Sequence, residues 1–390
     1  MKTVKPHSKA TIFVSGFFHL PIVTQALSAS FNKIDVHSSY PNFYLRSRLS
    51  PTVNHHSHTL KEIAGRLPYW MFHDRSYQLS KIFQRSIRHY LDELNSDVVI
   101  GWAGHSLSVV EECTSKNIPF VLERGSTHIR WQRDRLRLAY KNAGLPENLK
   151  EIPSERFIEN QEQEYKLADR IHVPTLSCRR SFEKYLGKKA SQKLRLTRYG
   201  FNFSTPTQRE ENTVSPKLVR CLFVGTLSVR KGFFDYCSIS RKLSDTTASF
   251  SAVGKFDNDT SKVIEKFEPN CHIKKSQSKA ELFNIYQTHD ILVVCSYEEG
   301  LSMVIPEAMS QGMVVIGTID SGADEYVTDG VNGIILEAGN VDEFVSALLA
   351  ILKDPDILGY LKSNMDANSA GNDFDNYSNQ VNLSIGELLS

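Results

Sequence analysis

The residues with the clearest chemical purpose lie at 296–312, SYEEGLSMVIPEAMSQG, directly after the apolar run ILVVC. Glu299 and Glu307 are separated by seven residues, with Gly300 opening a loop and Pro306 suited to the first turn of a helix. This order places Glu299 at a strand–loop junction and Glu307 about one turn into a helix, both facing a cleft. The amides of Gly300, Leu301 and Ser302 then precede a helix N-terminus, where free N–H groups and the dipole favour a phosphate. Carboxylates beside a phosphate make sense once hydroxyls are there to donate to them, as a ribose or a sugar would. Two solvated glutamates capping a helix are the plainer reading of the pair alone.

A second stretch, CLFVGTLSVRKGFFDYCSISRKL, reads as strand, glycine turn at Gly225, basic pair Arg230–Lys231, Gly232 and amphipathic helix. A cationic pair in a strand-to-helix turn suits a diphosphate. It is neither a P-loop nor a GxGxxG dinucleotide fingerprint. The plainer alternative is a basic surface turn.

Together these stretches resemble the glycosyltransferases of family 4, which have the GT-B fold. The residues that carry the resemblance are Gly225-Thr-Leu-Ser-Val-Arg-Lys231-Gly232, the E-x7-E pair Glu299 and Glu307, and the following MVVIGTIDSGADEYVTDGVNGIIL, with Glu325, Gly330 and Gly333. The resemblance is strong over 220–352 and only topological before that. It implies a nucleotide diphosphate sugar as co-substrate, retention at the anomeric carbon and no metal or other cofactor. It also implies that Lys231 and Arg230 neutralise the diphosphate, that Glu307 holds the ribose hydroxyls and that Glu299 contacts the transferred sugar. Many members carry Arg where this chain has Thr226, which leaves that charge to Arg230 here. Asp257-Asn-Asp259 fits a turn better than a metal-binding DxD pair.

The first half holds weaker candidates. Gly16 follows the first strand in SGFFHLP, where a family member would approach donor and acceptor. VLERGSTHI offers Glu123, Arg124 and His128 at the end of a later strand, and either Arg124 or His128 is expected to face the reacting centre. His105, in GWAGHSL, is a further cleft candidate, though a lone histidine is more often structural. Over 44–89 eight basic residues (Arg46, Arg48, Lys61, Arg66, Arg75, Lys81, Arg85, Arg88) face two acidic ones (Glu62, Asp74), or +6, with Tyr69, Trp70, Phe72, Tyr77 and Phe83 interleaved. That stretch is either a solvated helical face or a surface attracted to an anionic membrane or acidic acceptor.

These residues need elements to position them. Short β-branched runs at 11–15, 34–37, 98–101, 120–123, 170–174 and 195–199 alternate with amphipathic stretches. After a polar break come 220–224, 249–253, 272–274, 291–295, 314–317 and 333–336. Continuous apolar runs such as ILVVC and MVVIG predict strands buried on both faces of a parallel sheet. The alternation predicts an α/β fold of two doubly wound, Rossmann-like domains facing across a cleft. The polar segment 200–217, GFNFSTPTQREENTVSPK, marks the boundary. The first domain then covers 1–205 on the acceptor side, the nucleotide-sugar domain 206–372, and a helix at 373–390 returns to the first.

The whole-chain arithmetic agrees. At 390 residues, 41% hydrophobic and 23% charged, the chain is an ordinary two-domain globular protein, which excludes collagen, coiled coil and wholesale disorder. A net charge of +2 gives no global basic field, so no nucleic-acid partner is expected. Cysteines at 113, 178, 221, 237, 271 and 295 form no CxxC pair and read as reduced, buried thiols of a cytoplasmic protein. The N-terminal ATIFVSGFFHLPIVTQALSAS mimics a secretion signal, but His19, Pro21 and Gln25 interrupt it, so it reads as strand, turn and helix. The expected activity is transfer of a hexosyl-type sugar to a carbohydrate or lipid-linked acceptor in surface polysaccharide or glycolipid synthesis, with peripheral contact to the inner face of the membrane. A nucleotide-sugar epimerase or a non-catalytic sugar-nucleotide-binding protein are the alternatives.

Overall fold

The strands that the apolar runs predict assemble into two parallel sheets. The computed structural model describes residues 8–50, 52–147, 151–199, 218–257, 260–365 and 374–390. The first sheet contains β1 (Lys9–Val14), β2 (Lys33–Ser38), β3 (Val53–Ser57), β4 (Val98–Trp102), β5 (Phe120–Glu123), β6 (Arg170–Val173) and β7 (Leu194–Leu196) in the order β3-β2-β1-β4-β5-β6-β7. The second contains β8 (Val219–Val224), β9 (Ala248–Val253), β10 (His272–Lys274), β11 (Ile291–Val294), β12 (Val314–Thr318) and β13 (Gly333–Leu336) in the order β10-β9-β8-β11-β12-β13. Every described pairing is parallel. The strand β3 lies outside the pattern that the sequence predicts, because VNHHS carries no apolar alternation and sits half-buried at a sheet edge.

Each sheet is covered on both faces. Phe13, Val99 and Leu122 pack under helices Arg75–Ser86, Leu107–Lys116 and Glu155–Leu167. On the other face Ile12, Val14 and Ile100 meet helix Leu20–Leu27 and the last helix, Phe374–Leu389, through Tyr377, Val381 and Ile385. That last helix therefore packs on the first sheet, where Asn382 Nδ2 also donates to the Ala26 carbonyl at 3.0 Å. In the second sheet, Phe223 and Val293 pack against helices Phe233–Lys242 and Val341–Lys353, while Leu222 and Val294 pack against Lys279–Gln287 and Val304–Ser310. The expected boundary at 200–217, with its division at 205 and 206, lies outside the described residues, as does residue 373.

Two places in this topology matter for function. Strand order reverses between β1 and β4 and again between β8 and β11, and such switch points open a crevice at the strand C-terminal ends. Gly16 follows β1 and His105 follows β4; Gly225 follows β8 and the EE doublet follows β11. The chemistry-bearing segments are thus attached where the fold itself leaves room.

Candidate functional site

The turn after β8 and the loop after β11 are pressed together by glycine. Gly232 has φ +69°, and a Cβ there would meet the Cys295 carbonyl oxygen at 2.0 Å, so no side chain fits. The Tyr297 amide donates to the Arg230 carbonyl at 2.9 Å, which locks the two loops. This contact delivers the basic pair to the glutamates. Lys231 Nζ forms an ion pair with Glu299, and Arg230 lies 3.5 Å from Glu298 Oε2 and donates to the Glu298 carbonyl at 3.1 Å. Glu299 also accepts from the Ser296 hydroxyl. Burial pushes the Glu299 carboxyl up, but Lys231 and Arg230 beside it outweigh that and hold it below the ordinary carboxylate value.

Glu307 stands apart from this cluster. It sits on helix Val304–Ser310, half-buried, and accepts from the Tyr286 hydroxyl at 3.2 Å. Burial raises its carboxyl above the ordinary value, against a smaller lowering by Tyr286 and Lys279. Among the described residues no hydrogen bond or ion pair links Glu307 to Lys231 or Glu299. The expected run of phosphate-facing amides is corrected at one member: the Ser302 amide already donates to the Ser321 carbonyl at 3.0 Å. Gly300 is committed differently, because a Cβ there would strike the Gly125 carbonyl oxygen of the other domain at 1.9 Å. Gly225 and Thr226 sit at the β8 end, with Thr226 exposed and Lys231 Cε 4.0 Å from where a Gly225 Cβ would be. Leu301 packs partly buried between the domains, against the first domain's core as well as its own.

The first domain meets this face with the loop after β5. Glu298, fully buried, accepts from the Thr127 amide at 3.2 Å, from Thr127 Oγ1 at 2.7 Å and from the Ser126 hydroxyl. Sequence reasoning passed over this residue. Its signal was the doublet itself: beside Glu299, which pairs with Lys231, a second buried carboxylate needs donors of its own. Further links follow the loop after β12. Trp131 Nε1 donates to Asp320 at 3.0 Å, Arg135 pairs with the same carboxylate, Arg180 pairs with Asp324 and Arg198 with Glu325. Leu136, Tyr140 and Ile152 share an apolar cluster with Val229, Phe234 and Tyr297 from the second domain.

The other first-domain candidates are placed less favourably. His128 is corrected: it is the N-cap of helix Ile129–Asn142, its Nδ1 accepts from the Arg130 amide, and its ring is buried against Tyr165, Phe182 and Tyr185 rather than turned to the reacting centre. Burial, with Arg124 and Arg130 nearby, brings its imidazole down to about 3. Glu123 pairs with His172 at 2.7 Å inside the first domain, and His172 in turn contacts Ser384 of the last helix. Arg124 donates to the Thr127 carbonyl and to Gln132, each at 2.8 Å, so it braces the loop that Glu298 holds. His105 is half-buried beside Phe83, and burial together with Lys61 brings it down to about 3. Gly16 lies at the end of β1 under the ring of Phe18, which a Cβ would meet at 2.5 Å. Phe18 itself is more than half exposed with φ +33°, a strained conformation for an aromatic residue. No group of three or more His, Cys, Asp or Glu among the described residues is arranged to hold a metal; Asp259 lies outside them.

Comparison with known proteins adds to this geometry. Residues 204–371 match the family model described as "Glycosyl transferases group 1". D-inositol 3-phosphate glycosyltransferase of Kribbella flavida is 35% identical over 81 residues, 21% of this chain and 19% of that protein. Sulfoquinovosyl transferase SQD2 of Arabidopsis thaliana is 27% identical over 142 residues, 36% and 28% respectively. Lipopolysaccharide 1,2-N-acetylglucosaminetransferase of Salmonella typhimurium is 26% identical over 161 residues, 37% and 42%. The chain thus matches less than half the length of these curated relatives. Whole-chain likeness comes from solved structures. Sucrose-phosphate synthase from Thermosynechococcus elongatus superposes with TM-score 0.72 at 16% identity, covering 98% of this chain and 99% of that one. HepE of Anabaena, solved with UDP and glucose, gives 0.67 at 14%, covering 98% and 100%. WaaG, a glycosyltransferase of lipopolysaccharide biosynthesis, gives 0.65 at 14%, covering 97% and 100%. The fold is GT-B.

Proposed function

We propose that the protein is a family 4 glycosyltransferase, of class EC 2.4, that moves a hexosyl group from a nucleotide diphosphate sugar to a carbohydrate or lipid-linked acceptor with retention. The observation that carries this reading is the paired cluster Lys231–Glu299 and Arg230–Glu298 at the second sheet's switch point, pressed against residues 125–127 of the other domain. The match of residues 204–371 to group 1 glycosyl transferases supports it.

The chemistry follows from the charges. When the bond between the anomeric carbon and the donor's terminal phosphate breaks, its electron pair goes to the phosphate oxygen, and negative charge grows there. Lys231 and Arg230 are held in place before the donor arrives, so little reorganisation is needed as that charge develops. Their carboxylate partners are the groups with which a diphosphate would compete. Glu299, kept ionised by the same cations, accepts hydroxyls of the transferred sugar, and Glu307 accepts those of the ribose. Glu298 ties Arg230 to the loop of the acceptor-side domain, so the donor cations and that loop move as a unit. No metal or other cofactor takes part in this reading.

We place the reaction in surface polysaccharide or glycolipid synthesis, at the cytoplasmic face of a membrane. No helix among the described residues is long and apolar enough to cross one. A thermal-shift panel of UDP, GDP and ADP sugars tests the donor assignment, with UDP sugars first because the Anabaena neighbour was solved with UDP. A ligand at a hundred times its dissociation constant raises stability by about 2.7 kcal/mol. One nucleotide should raise the melting temperature of the wild type, and by a smaller amount that of Glu307→Ala at the same concentration; no response to any of them overturns the reading.

A further inference from the structure

One surface of the first domain is turned inside out. On an ordinary surface helix the apolar stripe faces the core. In helix Leu60–Ala64 the residues at helical spacing, Leu60 and Ile63, are 61% and 59% exposed, and none of that helix's residues is buried. Leu67 continues the stripe one turn on, and the short 3-10 turn Tyr69–Met71 carries Trp70, 83% exposed, with Met71 half exposed beside it. Phe43, also 83% exposed, projects from helix Asn42–Leu45, which follows β2 as Leu60–Ala64 follows β3. Because the strands are parallel, both helices emerge from the same edge of the sheet, the edge that carries Gly16 and the cleft.

This surface is held in place rather than loosely exposed. Lys61 turns inward and donates to the Ser15 carbonyl at 3.1 Å, next to Gly16, and Glu62 accepts from Ser39 at 2.6 Å. Arg75 donates to the Gly65 carbonyl while lying 5.3 Å and 5.5 Å from the rings of Tyr69 and Phe72. The outward charge around the apolar residues is cationic. Arg46, Arg48 and Arg66 are exposed, and among the described residues none has a carboxylate partner. Arg48 instead lies over the rings of Tyr44 and Phe17, at 4.1 Å and 5.3 Å.

We propose that this surface docks the protein on an anionic lipid bilayer, with Trp70, Met71, Leu67, Ile63, Leu60 and Phe43 entering the interface and the three arginines meeting the headgroups. A tryptophan and aliphatic residues ringed by unpaired arginines match the apolar interior and anionic rim of such a surface. A protein partner of matching shape would need carboxylates placed opposite each arginine, whereas a bilayer presents anionic phosphates wherever the arginines fall. The inference deepens the reading of a lipid-linked acceptor, because docking here brings the mouth of the cleft to the membrane plane.

The test is flotation of the full chain with vesicles of phosphatidylcholine, with and without phosphatidylglycerol, at low and high salt. Wild type should float with the anionic vesicles only, and high salt should release it. The variant Ile63→Ser/Trp70→Ser should bind about tenfold more weakly. Tyr360→Ser, which removes an exposed aromatic of the other domain, should bind as wild type does. Failure of wild type to float, or equal flotation of the double variant, overturns the proposal. So does a concentration-dependent dimer in sedimentation that the double variant abolishes, since a second copy would then be the occupant. Vesicle binding uses no sugar and the nucleotide thermal shift uses no lipid, so failure of either inference leaves the other measurable.

Discussion

The two edges that face each other across the cleft are built on opposite plans. On the second domain every charge of the loop cluster has a partner: Lys231 has Glu299, Arg230 has Glu298, and backbone contacts closer than a Cβ allows hold the loops. On the first domain the same edge shows exposed aromatics, a phenylalanine with positive φ and arginines that have no carboxylate partner among the described residues. A site for a small dianionic ligand of fixed shape profits from preorganised charge. A site for a larger and more varied acceptor profits from open surface. The asymmetry is what the proposed reaction calls for, with donor chemistry on the second domain and acceptor access on the first.

The largest way to break this comparison is Lys231→Ala. If Lys231 faces the charge that develops on the leaving diphosphate, its loss should lower turnover about a hundredfold, or ~3 kcal/mol in the barrier, with a smaller change in donor affinity. Steady-state kinetics with melting checked in parallel decides it. If the lysine only pairs with Glu299 as a surface turn would, turnover stays at the wild-type value.

Next comes the contact between the two edges. Gly300→Ala would push a methyl into the Gly125 carbonyl oxygen, with backbone on both sides and no side chain able to yield. The domains must part or the loop must bend, at a cost of about 2 kcal/mol. The Thr175 hydroxyl, which donates to the Gly300 carbonyl at 3.0 Å, would be strained with it. Melting should fall and transfer should drop, whereas Gly359→Ala, facing open space in helix Pro355–Ser363, should melt at or above wild type.

A third test sharpens the contrast through pH. Next to the open edge, His37 stacks on His56 and shares a 3.2 Å Nδ1···Nε2 contact with His58. Burial first, then His56 and His58, lowers His37 from 6.5 to about 3; burial lowers His55 to about 4. A depressed imidazole means that the unfolded chain binds more protons as pH falls below 6.5, so stability is lost progressively down to about 3. Each such group contributes a slope of about 1.4 kcal/mol per pH unit in that window. Acid denaturation followed by circular dichroism should be steep in wild type and shallower by about one proton in His37→Gln. An unchanged slope would show the cluster to be solvated.

How far the sequence went depended on the kind of signal. Strands such as ILVV and VVIGT are buried on both faces, so their apolar runs located them within a residue or two. The strand VNHHS did not announce itself, because its histidines meet β2, His55 through the Ser38 hydroxyl and His56 by stacking on His37, rather than a hydrophobic core. That the turn after β8 and the loop after β11 serve one site was an expectation from two local motifs, each with its glycine; the direct ion pair of Lys231 with Glu299 was not foreseen. Glu298 was not, because its partners Ser126 and Thr127 lie 172 and 171 residues away and carry no motif. His128 misled because a histidine after a strand looks the same in one dimension whether it faces a cleft or caps a helix. Its burial among Tyr165, Phe182 and Tyr185 is a product of packing between helices far apart in the chain.

The smallest expected effect belongs to Glu307, and it tests whether the second domain's edge is one site or two. Among the described residues Glu307 has no hydrogen bond or ion pair to the Lys231 cluster, and it is oriented by the Tyr286 hydroxyl at 3.2 Å. A ribose acceptor is engaged equally in ground and transition states, so its removal should weaken binding and spare the chemical step. Glu307→Ala should therefore reduce donor affinity about tenfold, the loss of one hydrogen bond to a charged group, with kcat nearly unchanged. The pH dependence has a definite sign. Burial raises this carboxyl above its ordinary value, and protonation turns one of its two acceptor oxygens into a donor, so that it holds two donating hydroxyls less well. Donor affinity should then fall as pH drops through that raised value, and Glu307→Ala should lose this dependence along with the affinity. Tyr286→Phe removes the orienting hydroxyl while leaving the carboxylate, so it should give a smaller loss of affinity that keeps the pH dependence. Titration of the nucleotide into all three proteins across the acid range reads each outcome. If Glu307→Ala instead lowers kcat as Lys231→Ala does, the two residues act in one step and the division between binding and leaving-group stabilisation within this edge fails.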